Sequence, residues 1–156
     1  AAAHIALQVA RAWGCEVYVV SRDEASLECA QQLGAHWTGL SGTRLPEPVD
    51  HAVNFAPAGS IIPDALRDLR KGGVLSIAGI YVDRIPELDY ATHLFGEKSV
   101  VSTTANTLAD AHELLELAVK ARFITQAELF PLSEANEALL RLKEGRLSAQ
   151  SAVLTI

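Results

Sequence analysis

The sequence predicts an α/β domain: parallel strands in a doubly wound sheet, with helices on both faces. Three observations predict it. Short runs rich in β-branched residues, such as Val17-Tyr18-Val19-Val20 and Val74-Leu75-Ser76-Ile77, alternate with amphipathic stretches of helical period. Those runs are near-continuously apolar, as strands covered on both faces are. Glycines at 14, 34, 72, 73 and 145 punctuate the ends of the helical stretches. Right-handed βαβ units follow.

Each element has a local signal. Residues 1–13 are alanine-rich, with Ile5, Leu7, Val9, Ala10 and Trp13 apolar, and predict a helix that Gly14 ends. Residues 15–22 predict a buried strand, with its body over 16–20 and a polar end at Ser21-Arg22. Asp23 is the expected N-cap of a helix through Ala25, Leu27, Ala30 and Leu33, stopped by Gly34. A short strand is expected over His36-Trp37-Thr38, and a proline-containing loop over 41–48. Residues 51–55 predict a strand that runs into the turn Ala56-Pro57-Ala58-Gly59. Ser60 or Pro63 opens a helix with Ala65, Leu66 and Leu69 on one face, ended by Lys71-Gly72-Gly73. Residues 74–80 predict an apolar strand ending in Ala78-Gly79-Ile80, and residues 99–102 the last core strand.

Residues 108–123 predict a helix with Ala111, Leu114, Leu115 and Ala118 inward. The pattern then changes to a short strand at 129–132, a helix capped by Ser133 and ended by Gly145, and a closing strand at 152–156. The boundaries therefore place one domain over 1–125 and a tail over 126–156.

Composition excludes several classes. The chain has 156 residues, 49% hydrophobic and 21% charged, with a net charge of −6. That length suits one folded domain, burying roughly 68–70% of its unfolded surface. An acidic chain without a basic stripe has nothing to track phosphates along, so a nucleic-acid partner is not expected. No apolar run approaches the roughly 20 residues that span a bilayer, so no membrane partner is expected. The opening residues lack a basic segment before their apolar part, unlike a signal peptide. Cys15 and Cys29 have neither disulfide-like nor zinc-like spacing and fit a reducing cytoplasm. The five histidines do not cluster with carboxylates; only His4, in the first helical turn, is placed to meet a ligand. Arg67, Arg70, Lys71, Arg141, Lys143 and Arg146 read as solvated helix faces and helix-end charges.

The order of elements is itself informative. A dinucleotide-binding domain starts with a strand, and a glycine-rich turn leads from it into the first helix. Here a helix comes first, with Ala3 where the third Gly or Ala of such a turn packs helix on sheet. The expectation is a Rossmann-like doubly wound sheet lacking its first strand and glycine-rich loop. Its two flanking strands are then left with unpaired edges, at about 1–3 kcal/mol for each buried unsatisfied group.

At this point the residues resemble a known family, the zinc-type medium-chain alcohol dehydrogenases, over essentially the whole chain. Residues 15–22, then Leu27-Glu28-Cys29-Ala30-Gln31-Gln32-Leu33-Gly34-Ala35, resemble its second strand and the helix after it. Residues 50–57 resemble its fourth strand, and the run from Ala65 through Lys71-Gly72-Gly73 to Ala78-Gly79-Ile80 is the most specific match. Pro131-Leu132-Ser133-Glu134-Ala135-Asn136 with Lys143-Glu144-Gly145-Arg146 resembles the return into the catalytic domain.

The resemblance implies the carboxyl-terminal, cofactor-binding half of such an enzyme. The family transfers hydride between an alcohol or aldehyde and a nicotinamide. Its zinc ligands, two cysteines and a His-Glu pair, belong to the other half, so neither catalytic nor metal residues are expected here, and the chain alone is expected to be inactive. Where the family carries the acid that selects NAD, this chain has Ser21 followed by Arg22. A small hydroxyl leaves room for a 2′-phosphate and a guanidinium can bind it, which implies NADP, with NAD as the alternative. Asp23 and Glu24 oppose that reading by repelling a phosphate. Ala56, Pro57, Ala78, Gly79 and Ile80 are the implied backbone lining of the groove. Thr104 and Ala105 lie where the family meets the carboxamide, although the arginine that often follows is replaced here by Leu108 and Ala109. A homo-oligomer, a dimer paired through the strand at 99–102, is the implied assembly. Two alternatives stay open: a non-catalytic nucleotide-binding or assembly fragment, and part of a zinc-free quinone or enone reductase.

Overall fold

Apolar runs of parallel register need a partner on each side, and the structure shows which partners they find. The computed structural model describes residues 2–147 and 149–156. Helix α1 (Ala2–Ala12) leads to β1 (Tyr18–Ser21), α2 (Glu24–Gln32) and β2 (Trp37–Leu40). Strand β3 (Val49–Asn54), α3 (Ile62–Arg67), β4 (Leu69–Ile77), α4 (Tyr90–His93) and β5 (Ser99–Ser102) follow, then α5 (Leu108–Ala121). Strand β6 (Ala127–Pro131), α6 (Ala135–Lys143) and β7 (Ser151–Thr155) complete the chain.

Every strand pairing among the described residues is parallel. The doubly wound sheet is divided as the element order predicts. Strand β1 pairs with β2 alone, while β3, β4 and β5 pair in that order, and β6 with β7 form a third sheet. Among the described residues β1 and β3 each keep one unpaired edge, and Val20 and Val53 on them are 46% and 53% exposed. The expectation of a buried strand at 15–22 is corrected by this: β1 is shorter and only half-buried, because a sheet interior needs neighbours on both edges. Cys15, just before it, is exposed, whereas Cys29 on α2 is buried.

The core sits in the three-stranded half. Ile62 and Leu66 of α3 pack with Leu69 and Leu75 of β4, and Val49, Ala52 and Ile77 close around them. Ile62, Leu66 and Leu75 are completely buried, each contributing about 1.5–3 kcal/mol of apolar transfer. Asp68, at the carboxyl end of α3, is buried too. Arg67 compensates it with two hydrogen bonds, Nε to Oδ1 at 2.9 Å and Nη2 to Oδ2 at 3.1 Å. Lys98 ties β5 to the same helix by donating to the Leu66 carbonyl at 2.7 Å.

Several boundaries depart from expectation. Helix α3 ends at Arg67, and β4 begins at Leu69. The polar Arg70-Lys71-Gly72-Gly73 stretch lies within β4, where the register against β3 shifts and Gly72 takes φ +73°. Arg70 is thus a strand residue paired with Asp50 at 2.9 Å, not a helix-face charge. Arg67 and Arg141 are likewise ion-paired, Arg141 with Glu137 at 2.8 Å and Glu128 at 2.9 Å. Ser133 sits in a 3₁₀ turn, and no side chain caps α6. Helix α5 is amphipathic, but Ala111, Leu114 and Leu115 are exposed, since among the described elements it meets chiefly α1.

Candidate functional site

Parallel strands deliver their carboxyl ends to one side of a sheet, and that side gathers most of the expected site residues. Asn54, Ile77 and Ser102 end β3, β4 and β5 in matched register. Just beyond them the chain turns through Ala56-Pro57, Ala78-Gly79-Ile80 and Thr103-Thr104-Ala105. The first two turns are joined by backbone hydrogen bonds, with the Asn54 carbonyl accepting from Ala78 N–H at 2.9 Å and Gly79 N–H at 3.1 Å. Thr103 N–H donates to the Ile77 carbonyl at 2.9 Å, which adds the third turn.

Gly79 is required by a close approach. A Cβ there would lie 2.9 Å from the Ala56 carbonyl oxygen and 3.1 Å from Val82 Cγ2. The absent side chain therefore lets the two turns meet, and leaves a rim of small residues and backbone. Ile80 is 87% exposed at that rim, and Thr104 and Ala105 are exposed beside it.

Ser21 and Arg22 belong to the other sheet, at the carboxyl end of β1. The Ser21 hydroxyl donates to Asp23 Oδ2 at 3.1 Å, while Asp23 Oδ1 accepts Ser26 N–H at 2.8 Å and so caps α2 as expected. The Ser26 amide is the chief reason that the Asp23 carboxyl titrates below its ordinary range, and Ser21 adds to it. Arg22 is exposed and forms no ion pair among the described residues. His4, in the first turn of α1, is near enough to feel the Asp23 charge. Burial nevertheless pushes its pKa down, and Nδ1 is buried without a partner.

Two residues that the sequence reading passed over shape this side. Asn54 is buried, with its Oδ1 accepting Ala56 N–H at 2.8 Å and its Nδ2 unpartnered. It fixes the start of the Ala56-Pro57 turn. Asp83 accepts Gly59 N–H, and a Cβ at Gly59 would collide with the Arg84 carbonyl, so the loop after Ile80 lies directly on the turn after β3. For Asn54 the only signal was a polar residue ending an apolar strand; Asp83 gave none, because its contact is with a turn 24 positions earlier in the chain.

Among the described residues no three His, Cys, Asp or Glu side chains converge as metal ligands. Zinc, which the family resemblance implies, does not fit the residues present: of the two cysteines, Cys15 is exposed and Cys29 is buried in a helix. Burial raises the Cys29 pKa, away from the thiolate that a metal needs. Among the described residues no helix is long and apolar enough to cross a membrane.

Comparison with known proteins shows the family and the fold. A family model described as zinc-binding dehydrogenase matches residues 2–120. A probable alcohol dehydrogenase of Mycobacterium tuberculosis is 40% identical over 152 residues, 97% of this chain and 44% of that protein. An alcohol dehydrogenase of Geobacillus stearothermophilus is 28% identical over 155 residues, 94% of this chain and 46% of that protein. The chain thus spans less than half the length of these relatives. The solved benzyl alcohol dehydrogenase of Acinetobacter calcoaceticus has the same fold, with TM-score 0.82 at 21% identity over 97% of this chain and 46% of its own. The NADP(H) complex of a Helicobacter pylori CAD superposes at TM-score 0.79 with 22% identity, over 96% of this chain and 43% of its own. The chain belongs to the zinc-binding dehydrogenase family, as the counterpart of the cofactor-binding half of a zinc-type alcohol dehydrogenase.

Proposed function

We propose that the chain binds a nicotinamide dinucleotide as the cofactor-binding part of an alcohol dehydrogenase-like oxidoreductase, and prefers NADP(H) to NAD(H). The observation that carries this reading is the convergence of β3, β4 and β5 on three short turns made of small residues and backbone, where Gly79 meets Ala56. In a doubly wound sheet the crevice beyond the strand ends is where such a ligand lies. Ala56, Pro57, Ala78, Gly79 and Ile80 line it, Thr104 and Ala105 flank the nicotinamide end, and Ser21 and Arg22 flank the adenosine ribose. Bound there, the nicotinamide supplies hydride chemistry. The residues of this chain hold and orient it, and none of them is assigned a proton-transfer or zinc-ligating role. The substrate in this reading is a small alcohol or aldehyde.

The rest of the assignment belongs to the same proposal. Residues 1–125 form the dinucleotide domain and 126–156 the segment that returns to a catalytic domain. The assembly is a homo-oligomer in the cytoplasm. Strand β5 supports that pairing, because among the described residues its outer edge is unpaired and all four of its residues are exposed. Titration with NADPH and NADH, followed by nicotinamide fluorescence, tests the binding: saturable binding with the tighter constant for NADPH is expected. Absence of binding to either refutes it.

A further inference from the structure

We propose that Gln8 is a positioning residue: its side-chain amide latches the junction between α5 and β6, and so sets where the β6–α6–β7 unit stands against α1. The inference goes beyond the cofactor reading and needs no ligand. Gln8 lies on α1 and is buried, at 9% exposure. Its Oε1 accepts the Ile124 N–H at 2.7 Å, and its Nε2 donates to the Ile124 carbonyl at 2.9 Å. One side chain thus satisfies both backbone groups of a residue 116 positions away, as a neighbouring strand would. Nε2 also donates to the His4 carbonyl at 3.1 Å, which ties the amide to its own helix.

The unit beyond the junction is held together from within. Strands β6 and β7 and helix α6 pack chiefly on one another, with Phe130 and Ala138 buried among them. Arg141 of α6 pairs with Glu128 of β6 at 2.9 Å. A second tie to the first helices, Gln150 Nε2 donating to Cys29 Sγ at 2.7 Å, uses a weak sulfur acceptor. Open clefts flank the Gln8 contact, one against Thr125-Gln126 and the other against Arg122-Phe123, so close packing does not replace it. Arg122, the carboxyl cap of α5, takes φ +55°, a left-handed conformation that a residue with a Cβ resists. The junction therefore begins at a strained residue, and Gln8 holds it two positions later. Without that hold the turn relaxes and the unit swings as a body. Only the consequence for catalysis rests on the reading above: there the unit returns to a catalytic domain, and Gln8 fixes one domain against the other.

Gln8→Met keeps the side chain's bulk and removes all three hydrogen bonds, while Gln8→Asn keeps the amide but stops one methylene short of Ile124. Hydrogen exchange, read by mass spectrometry, and trypsin cleavage after Arg122 are measured on the full chain and on both variants. Peptides over 122–127 are expected to exchange about tenfold faster in each variant, with cleavage after Arg122 accelerated by a similar factor. Protection of β3 and β4 is expected to stay within about twofold of the parent. Leu75→Ala is the control, because it weakens the core and leaves the junction intact; it should lower protection of β4 without singling out 122–127. Should Gln8→Met fail to fold, Gln8→Asn carries the comparison. Unchanged exchange and cleavage at the junction, an equal loss of protection across the junction and β4, or loss of folding in both variants overturns the inference. None of these outcomes depends on dinucleotide binding, so the cofactor reading stands or falls separately.

Discussion

The Gly79→Ala substitution isolates the contact that brings the site together. A single methyl group at this position has its nearest neighbours fixed: the Ala56 carbonyl oxygen at 2.9 Å, Val82 Cγ2 at 3.1 Å and the Ala56 carbonyl carbon at 3.4 Å. The valine methyl can rotate or yield, but the carbonyl belongs to backbone held by the Asn54 side chain at 2.8 Å. The turns after β3 and β4 must therefore separate. Overpacking of this kind costs about 1–3 kcal/mol. With a urea slope of about 1–3 kcal/mol per molar for a small protein, the unfolding midpoint should drop by roughly 1 M.

Dinucleotide affinity should fall as well, because the displaced backbone lines the proposed groove. Gly72→Ala is the control. Nothing lies within 4 Å of a Cβ there, and its φ of +73° makes the cost conformational, about 1–2 kcal/mol. It should lower stability and leave dinucleotide affinity as it was. A Gly79→Ala chain with an unchanged midpoint and unchanged affinity would refute the assignment of Gly79 to a close approach.

Three further outcomes follow from the same structure. Leu75→Ala empties a site that is fully buried between α3 and the sheet, and should cost about 2–5 kcal/mol by urea unfolding. Thr107→Ala removes the hydroxyl that accepts Asp110 N–H in the capping box of α5, and should cost about 1 kcal/mol, seen as a lower thermal midpoint. The penalty of Asp23→Ala should depend on pH in one direction only. The folded state lowers the Asp23 pKa, so its stabilising contribution is complete above the unfolded value near 3.8 and disappears as pH falls through the folded value. The stability difference between parent and variant should therefore hold from neutral pH to about 4 and narrow below it; a constant difference down to pH 2 would contradict that assignment.

Much of the fold is legible because its signals are local. Asp23 before an apolar-periodic stretch marks the α2 cap, and Gly14 and Gly34 end their helices at φ +79° and +91°, which other residues rarely adopt. The parallel pairing is legible in the alternation of strands and helices. The start of β4 is not. Arg70-Lys71-Gly72-Gly73 has the composition of a helix end, and only the pairing with β3 makes it a bulged strand. The exposure of α5 is equally hidden, because periodicity says which face is apolar and nothing about what covers it. Thr107 with Asp110 is a short-range capping pair that was open to view.

Within the site, the strand-end turns follow from sequence pattern, but what holds them does not. Asn54 reaches Ala56 over two residues, yet its burial depends on neighbouring elements, and Asp83 meets Gly59 across 24 positions. The Ser21–Asp23 hydrogen bond spans two residues, but its effect depends on Asp23 being held by Ser26 at the same time.

The most direct test of the account is the paired titration of the chain with NADPH and NADH at low and at physiological salt. Saturable binding of both, tighter for NADPH by less than about a hundredfold and losing that margin as salt rises, is the predicted result. Tighter binding of NADH at every salt concentration would contradict the roles given to Ser21 and Arg22, and no binding of either would contradict the central claim.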